Sequence, residues 1–194
     1  MSRFGLRGLV LPALIGVLAL AAATYFGYLT FRDVWVSAGP TSTETRPVPA
    51  VRTDRVVSRP GGFRLRAPGD MSVTRDGTSI RLTDAAQSLV VTLGPGEGGA
   101  LRAVSTRYLR TIERSYRDVR LLRSVPERVD GRPALVSSGR AVNESGVGLR
   151  FVALVVSDRP RNYTITAFAA ADSDPADVLP RVNAIANSFA VLGR

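Results

Sequence analysis

Residues 133–170 read PALVSSGRAVNESGVGLRFVALVVSDRPRNYTITAFAA. Three runs rich in β-branched and apolar residues, Pro133–Val142, Leu149–Ser157 and Tyr163–Ala170, are separated by two short breaks. The breaks, Asn143–Gly148 (NESGVG) and Asp158–Asn162 (DRPRN), carry the Asn, Asp, Gly and Pro that turns require. A parallel crossover needs a dozen or more residues, so connections this short join antiparallel neighbours. Just upstream, Asp130-Gly131 is a hairpin signal, and Val119–Val125 supplies a strand before it. This stretch therefore predicts a four-stranded antiparallel meander.

The same reading extends upstream. Phe63, Leu65 and Ala67 alternate, followed by Met71 and Val73; Asp76-Gly77 marks a hairpin; Ile80 and Leu82 alternate; Leu89–Leu93 is a short apolar run. Between the two sets of strands the period changes. On a wheel of about 100° per residue over 100–119, Leu101, Val104, Tyr108, Ile112, Tyr116 and Val119 share one face. Arg107, Arg110, Arg114 and Arg117 share the opposite face. A second amphipathic helix is expected over 175–190, with Val178, Val182, Ile185, Ala186 and Phe189 inward. Its start is well marked: Asp174 as N-cap, Pro175 at the first helical position and Asp177 near the positive end of the dipole. The expected order is β-β-β-α-β-β-β-β-α over 61–194. That is an α+β domain, an antiparallel sheet covered by two helices in an α/β/α sandwich.

Outside the domain the composition shifts. Leu9–Phe31 (LVLPALIGVLALAAATYFGYLTF) is 23 uncharged residues, and about 20 span a bilayer core as a helix. Tyr25, Phe26, Tyr28, Phe31 and Trp35 gather at its end like an interfacial belt. A cleaved signal peptide ending near Ala21 or Ala23 is the competing reading, but Thr24–Phe31 stays apolar past the cut. An uncleaved single-pass transmembrane helix at 9–31 is therefore expected, with 1–8 in the cytoplasm. Arg3 and Arg7 on the N-terminal side give a slight positive-inside bias that sends the bulk of the chain outward. Residues 32–60 hold Pro40, Pro47, Pro49 and Pro60 among Ser and Thr, which predicts an extended linker.

Composition limits the chemistry. The 194 residues include no cysteine, no histidine and no lysine; all 26 basic residues are arginine against 16 acidic, a net charge of +10. Disulfides, thiol nucleophiles, Ser-His-Asp triads, Schiff bases and the usual zinc sets are excluded. No catalytic residue, metal site or cofactor is assigned. Gly94-Pro95-Gly96-Glu97-Gly98-Gly99 spells G-x-G-x-x-G, but a proline ring and a carboxylate within it oppose a phosphate loop. Asp172, Asp174 and Asp177 lack calcium-loop spacing. Asn143-Glu144-Ser145 and Asn162-Tyr163-Thr164 match the N-glycosylation pattern, which arises often by chance. What remains is the arginine face Arg107, Arg110, Arg114 and Arg117, a candidate for anionic lipid headgroups or an acidic wall polymer. It has no interleaved aromatics, so nucleic acid is not expected.

In their order along the chain these signals resemble the PsbP/Mog1-like fold, in the version carried by actinobacterial cell-envelope lipoproteins and anchored proteins. The marks are Gly62-Phe63 with Pro68 and Met71, Asp76-Gly77, Asp130-Gly131-Arg132-Pro133-Ala134, Tyr163-Thr164-Ile165-Thr166 and Ile185-Ala186-Asn187-Ser188-Phe189. The resemblance implies an α/β/α sandwich with no enzyme activity, serving as an accessory, binding or assembly factor. No lipidated cysteine is present, so no functional residue transfers from it. The expectation is a membrane-anchored, non-catalytic extracytoplasmic domain of the cell envelope with an unidentified protein partner. A cytoplasm-facing regulatory domain and a carboxylate-dependent envelope hydrolase are the alternatives.

Overall fold

The sequence PALVSSGRAV and its neighbours do form a meander of long hairpins. The computed structural model describes residues 52–193, and every strand pairing in it is antiparallel. The elements are β1 (Thr53–Ser58), β2 (Phe63–Pro68), β3 (Met71–Asp76), β4 (Ser79–Asp84), β5 (Leu89–Gly96), α1 (Leu101–Ser115), β6 (Arg117–Val129), β7 (Arg132–Val142), β8 (Gly148–Asp158), β9 (Arg161–Ala170), α2 (Pro175–Ser188) and β10 (Ala190–Val191). Seven strands make the main sheet in the order β3-β4-β5-β9-β8-β7-β6; β1, β2 and β10 make a second sheet.

Strand β8 explains the layering. Phe151–Val156 (FVALVV) is buried at every position, which an alternating half-exposed strand cannot be. Both of its faces are covered. On one face Val152, Leu154 and Val156 join Leu82, Val91 and Ile165 of the main sheet under Phe63 and Leu65 of β2 and Val178, Val182 and Ile185 of α2. On the other, Phe151 and Ala153 meet Ile112 of α1, with Tyr108, Tyr116, Val119 and Phe168 packed around them. Each such large side chain taken out of water contributes about 1.5–3 kcal/mol.

Four expectations need correction. Five strands precede α1, not three. Pro68, Gly69 and Asp70 break the run from Phe63 to Val73, so β2 goes to the small sheet and β3 to the main one. Proline has no N–H to continue a ladder, and the Gly69 N–H donates instead to the carbonyl of Arg52, just before β1, at 2.8 Å. Second, the linker expected over 32–60 includes β1 at its end, paired residue for residue with β2 from Thr53↔Pro68 to Ser58↔Phe63. Third, one face of the main sheet is covered by α2 together with the small sheet rather than by a helix alone. Fourth, α1 stops at Ser115 instead of reaching Val119. Tyr116 turns extended (φ −133°, ψ 156°) and Asp118 is left-handed (φ 48°), so Arg117 opens β6. Val119 still reaches the α1 core, but from a strand.

Helix α2 begins as its sequence dictates: the Ala176 N–H donates to Asp174 Oδ1 at 2.8 Å, with Pro175 next and Asp177 in the first turn. Asp130 and Gly131 both have positive φ (51° and 72°), the signature of a two-residue type I′ hairpin between β6 and β7. The apolar stretch Leu9–Phe31 and most of the linker lie outside the described residues. Among the described residues no helix is long and apolar enough to cross a membrane.

Candidate functional site

The arginine face is divided by the structure. Arg107, near the start of α1, is occupied: its Nε donates to Glu97 Oε2 at 2.7 Å and its Nη2 to the Gly98 carbonyl at 3.3 Å. Arg110 and Arg114 are exposed on α1 and form no salt bridge among the described residues. Arg117 is exposed too, but on β6. Arg110, Arg114 and Arg117 thus follow the chain out of the helix and onto an edge strand of the main sheet.

The glycine-rich loop before α1 is a structural joint. Asn162, 1% exposed, donates through Nδ2 to the Glu97 carbonyl at 2.7 Å and the Gly99 carbonyl at 3.2 Å. Ala100 gives α1 no side-chain cap, and Asn162 fixes the approach to the helix instead. Pro95 and Gly96 are still strand, paired with Tyr163 and Asn162. The buried Asn162 is also no glycan acceptor, which disposes of one of the two glycosylation patterns. In the other, Asn143 Oδ1 accepts from the Val147 N–H at 2.8 Å inside the β7–β8 turn.

Several carboxylates are held by fold contacts. Asp84 is buried; its Oδ2 accepts from Ser88 Oγ at 2.6 Å and its Oδ1 from the Leu89 N–H at 3.0 Å. Arg181 bridges Asp84 (3.6 Å) and Asp70 (2.7 Å), tying α2 to both sheets' turns. An open cleft of about 410 Å³ beside this bridge is lined by Arg52, Gly69, Asp70, Ala176, Asp177, Pro180 and Arg181. Two of its charges, Asp70 and Arg181, are paired to each other. On β7, Arg132 donates to Asp158 at 2.9 Å and also pairs with Asp130. The Asp158 hydrogen bond is the main reason its guanidinium is held even more firmly protonated than usual. Among the described residues no group of three or more His, Cys, Asp or Glu side chains could hold a metal.

One titratable group near the arginine surface is perturbed. The Tyr116 ring stacks on Phe168 at 4.5 Å between ring centres. Burial pushes its phenol above the ordinary value, Arg81 pulls the other way and Tyr108 adds to the rise. Tyr108 in turn shares a 2.5 Å hydrogen bond with Thr166 Oγ1.

Sequence reasoning missed the continuation of this surface along β6. Arg120 and Arg123 are exposed and flank Leu121 and Leu122, which are 50% and 55% exposed. The signal was present as Arg-Leu-Leu-Arg: neighbouring leucines in a regular strand point to opposite faces, so one of them should have been buried.

These layers and this strand order define a PsbP-like fold. No protein-family model matches the chain, and no curated protein matches its sequence. Solved structures do. Cyanobacterial PsbP (CyanoP) from Synechocystis matches with a TM-score of 0.56 at 16% identity, over 80% of this chain and 99% of that one. A Bacteroides thetaiotaomicron protein matches at 0.50 and 10% identity, over 72% of this chain and 48% of that one. LpqN of Mycobacterium tuberculosis, described as involved in cell envelope biogenesis, matches at 0.49 and 14% identity, over 80% of this chain and all of that one.

Proposed function

We propose that the chain is a membrane-anchored, non-catalytic binding or assembly domain standing on the outer face of the cell membrane. The observation that carries the proposal is Leu9–Phe31, 23 residues without a charge, preceded by Arg3 and Arg7. The PsbP-like fold, shared with CyanoP, is compatible with the reading. Asp84, buried and held by Ser88, Leu89 and Arg181, is placed where a general acid or base could not reach substrate, which favours binding over catalysis by that carboxylate. The exposed arginines 110, 114 and 117 favour an anionic partner, either lipid headgroups or an acidic wall polymer.

Protease added to intact protoplasts tests the topology. Digestion of the domain before lysis is the expected result. Protection of the domain until the cells are lysed would overturn the outward orientation and favour a cytoplasm-facing interaction domain.

A further inference from the structure

Among the described residues the exposed large aliphatic side chains are Leu121 and Leu122, adjacent at one corner of the main sheet in the first half of edge strand β6, and Val147. Leu121 pairs with Gly139 on β7, while Val147 sits in the β7–β8 turn beyond Val142. The same corner carries the arginines that follow α1. Over 110–123 (RTIERSYRDVRLLR) five arginines stand against Glu113 and Asp118, a net charge of +3. Arg110, Arg114, Arg117, Arg120 and Arg123 are all exposed and form no salt bridge among the described residues.

The exposure of both leucines has a structural cause. Strand β6 is an edge of the main sheet, and its register with β7 shifts between Leu121 and Arg123. Two residues there oppose a single step of β7, which breaks the in–out alternation. Gly139 holds the irregularity: a Cβ on it would lie 2.4 Å from the Arg120 carbonyl and 2.6 Å from the Phe151 ring. A second shift between Arg117 and Arg120, and Pro126 further on, spoil β6 as a template for an added strand. What this edge offers a partner is therefore side chains rather than a regular hydrogen-bond ladder: an aliphatic pair flanked along the strand by Arg120 and Arg123.

We infer that this corner docks on an anionic bilayer, with Leu121 and Leu122 entering the interface and Arg117, Arg120 and Arg123 meeting lipid phosphates. A bilayer combines the two required chemistries, negative charge at the surface and hydrocarbon just beneath it. This inference rests on the proposed anchor at 9–31. About 20 residues separate Phe31 from β1 in the sequence, a length that allows the corner to come within range of the membrane.

The natural absence of cysteine provides the test. Full-length Leu122→Cys, labelled with an environment-sensitive fluorophore, is reconstituted into phosphatidylcholine vesicles with and without phosphatidylglycerol. Flotation is scored separately, and Thr74→Cys on the opposite edge strand β3 is the control. The expected result is flotation with both vesicles and quenching of the Leu122 label by spin-labelled lipid only on the anionic ones. Arg120→Gln with Arg123→Gln should lower the docked-to-undocked ratio about 25-fold, roughly fivefold per arginine, with flotation unchanged. Flotation without quenching at residue 122, or equal quenching on neutral vesicles, overturns the docking inference and leaves the anchor standing. Failure to float with either vesicle overturns both. A label shielded only in native membranes assigns the corner to a protein and overturns the lipid reading.

Discussion

Truncating Phe63, Phe189 and Phe151 to alanine, singly and in pairs, measures how the two cores share the main sheet. Phe63 is 0%, Phe189 2% and Phe151 1% exposed. Each Phe→Ala change removes the buried ring and leaves a cavity, at a cost of about 3–5 kcal/mol. At about 0.05–0.15 kcal/mol per residue, a domain of this length is stable by about 7–20 kcal/mol, so the single variants remain folded and measurable. With about 2–4 °C lost per kcal/mol, each lowers the melting temperature by about 6–20 °C.

The pairs discriminate between models of the packing. Phe63 and Phe189 lie 5.8 Å apart between ring centres, and Tyr163 touches both, at 6.1 and 5.6 Å. Once Phe63 is gone, Phe189 has already lost a partner, so its removal costs less. The pair should fall short of additivity by about 0.5–1.5 kcal/mol. Phe151 belongs to the core beneath α1, on the other side of the main sheet. Phe63 with Phe151 should therefore add to within about 0.5 kcal/mol. Urea unfolding followed by near-ultraviolet circular dichroism reads both quantities, with one transition for every variant. Strict additivity of Phe63 with Phe189 would refute the triad. Two separated transitions would refute a single cooperative domain.

Two further outcomes follow from local chemistry. Gly139→Ala places a Cβ against the Arg120 carbonyl and the Phe151 ring, and should destabilise by about 1–3 kcal/mol in the same urea assay while loosening amide protection along β6 in hydrogen exchange. Tyr116 keeps its proton more tightly folded than unfolded, chiefly through burial, so its contribution is intact below the ordinary tyrosine value of 10.0 and is lost as pH rises through the higher folded value. Stability should fall on the alkaline side, and Tyr116→Phe should remove that part of the fall; identical alkaline profiles for wild type and variant would contradict the assignment.

The meander was legible because its signals are local. Asp130-Gly131 dictates a two-residue turn, and NESGVG and DRPRN each hold a break, at residues 143–147 and at Arg159-Pro160, with strand resuming at their margins. Helix α2 was legible for the same reason, through Asp174, Pro175 and the spacing of Val178, Val182 and Ile185. Strand β1 was not. TDRVVS lies in a Pro- and Ser-rich context, and it becomes a strand only because β2 offers an edge five residues later. The destination of β2 was hidden too: nothing in FRLRAP states that its partners are β1 and the two residues of β10, more than 120 positions away.

The arginine surface shows where a helical wheel misleads. Arg117 and Val119 fit the wheel by angle, yet both leave the helix, because Ser115, Tyr116, Arg117 and Asp118 contain no strong helix former except arginine and Asp118 adopts a left-handed turn. The period of 3.6 then gives way to a period of 2, and the second period fails in its turn at Leu121-Leu122. The edge position of β6 supplies the missing explanation. An interior strand would bury this pair or exclude it, whereas a bulged edge can hold two leucines half in water with arginines on either side. Two leucines held about half in water bury only part of their apolar surface within the chain, and the part left open, beside five exposed arginines, is the surface that the docking inference puts to the test.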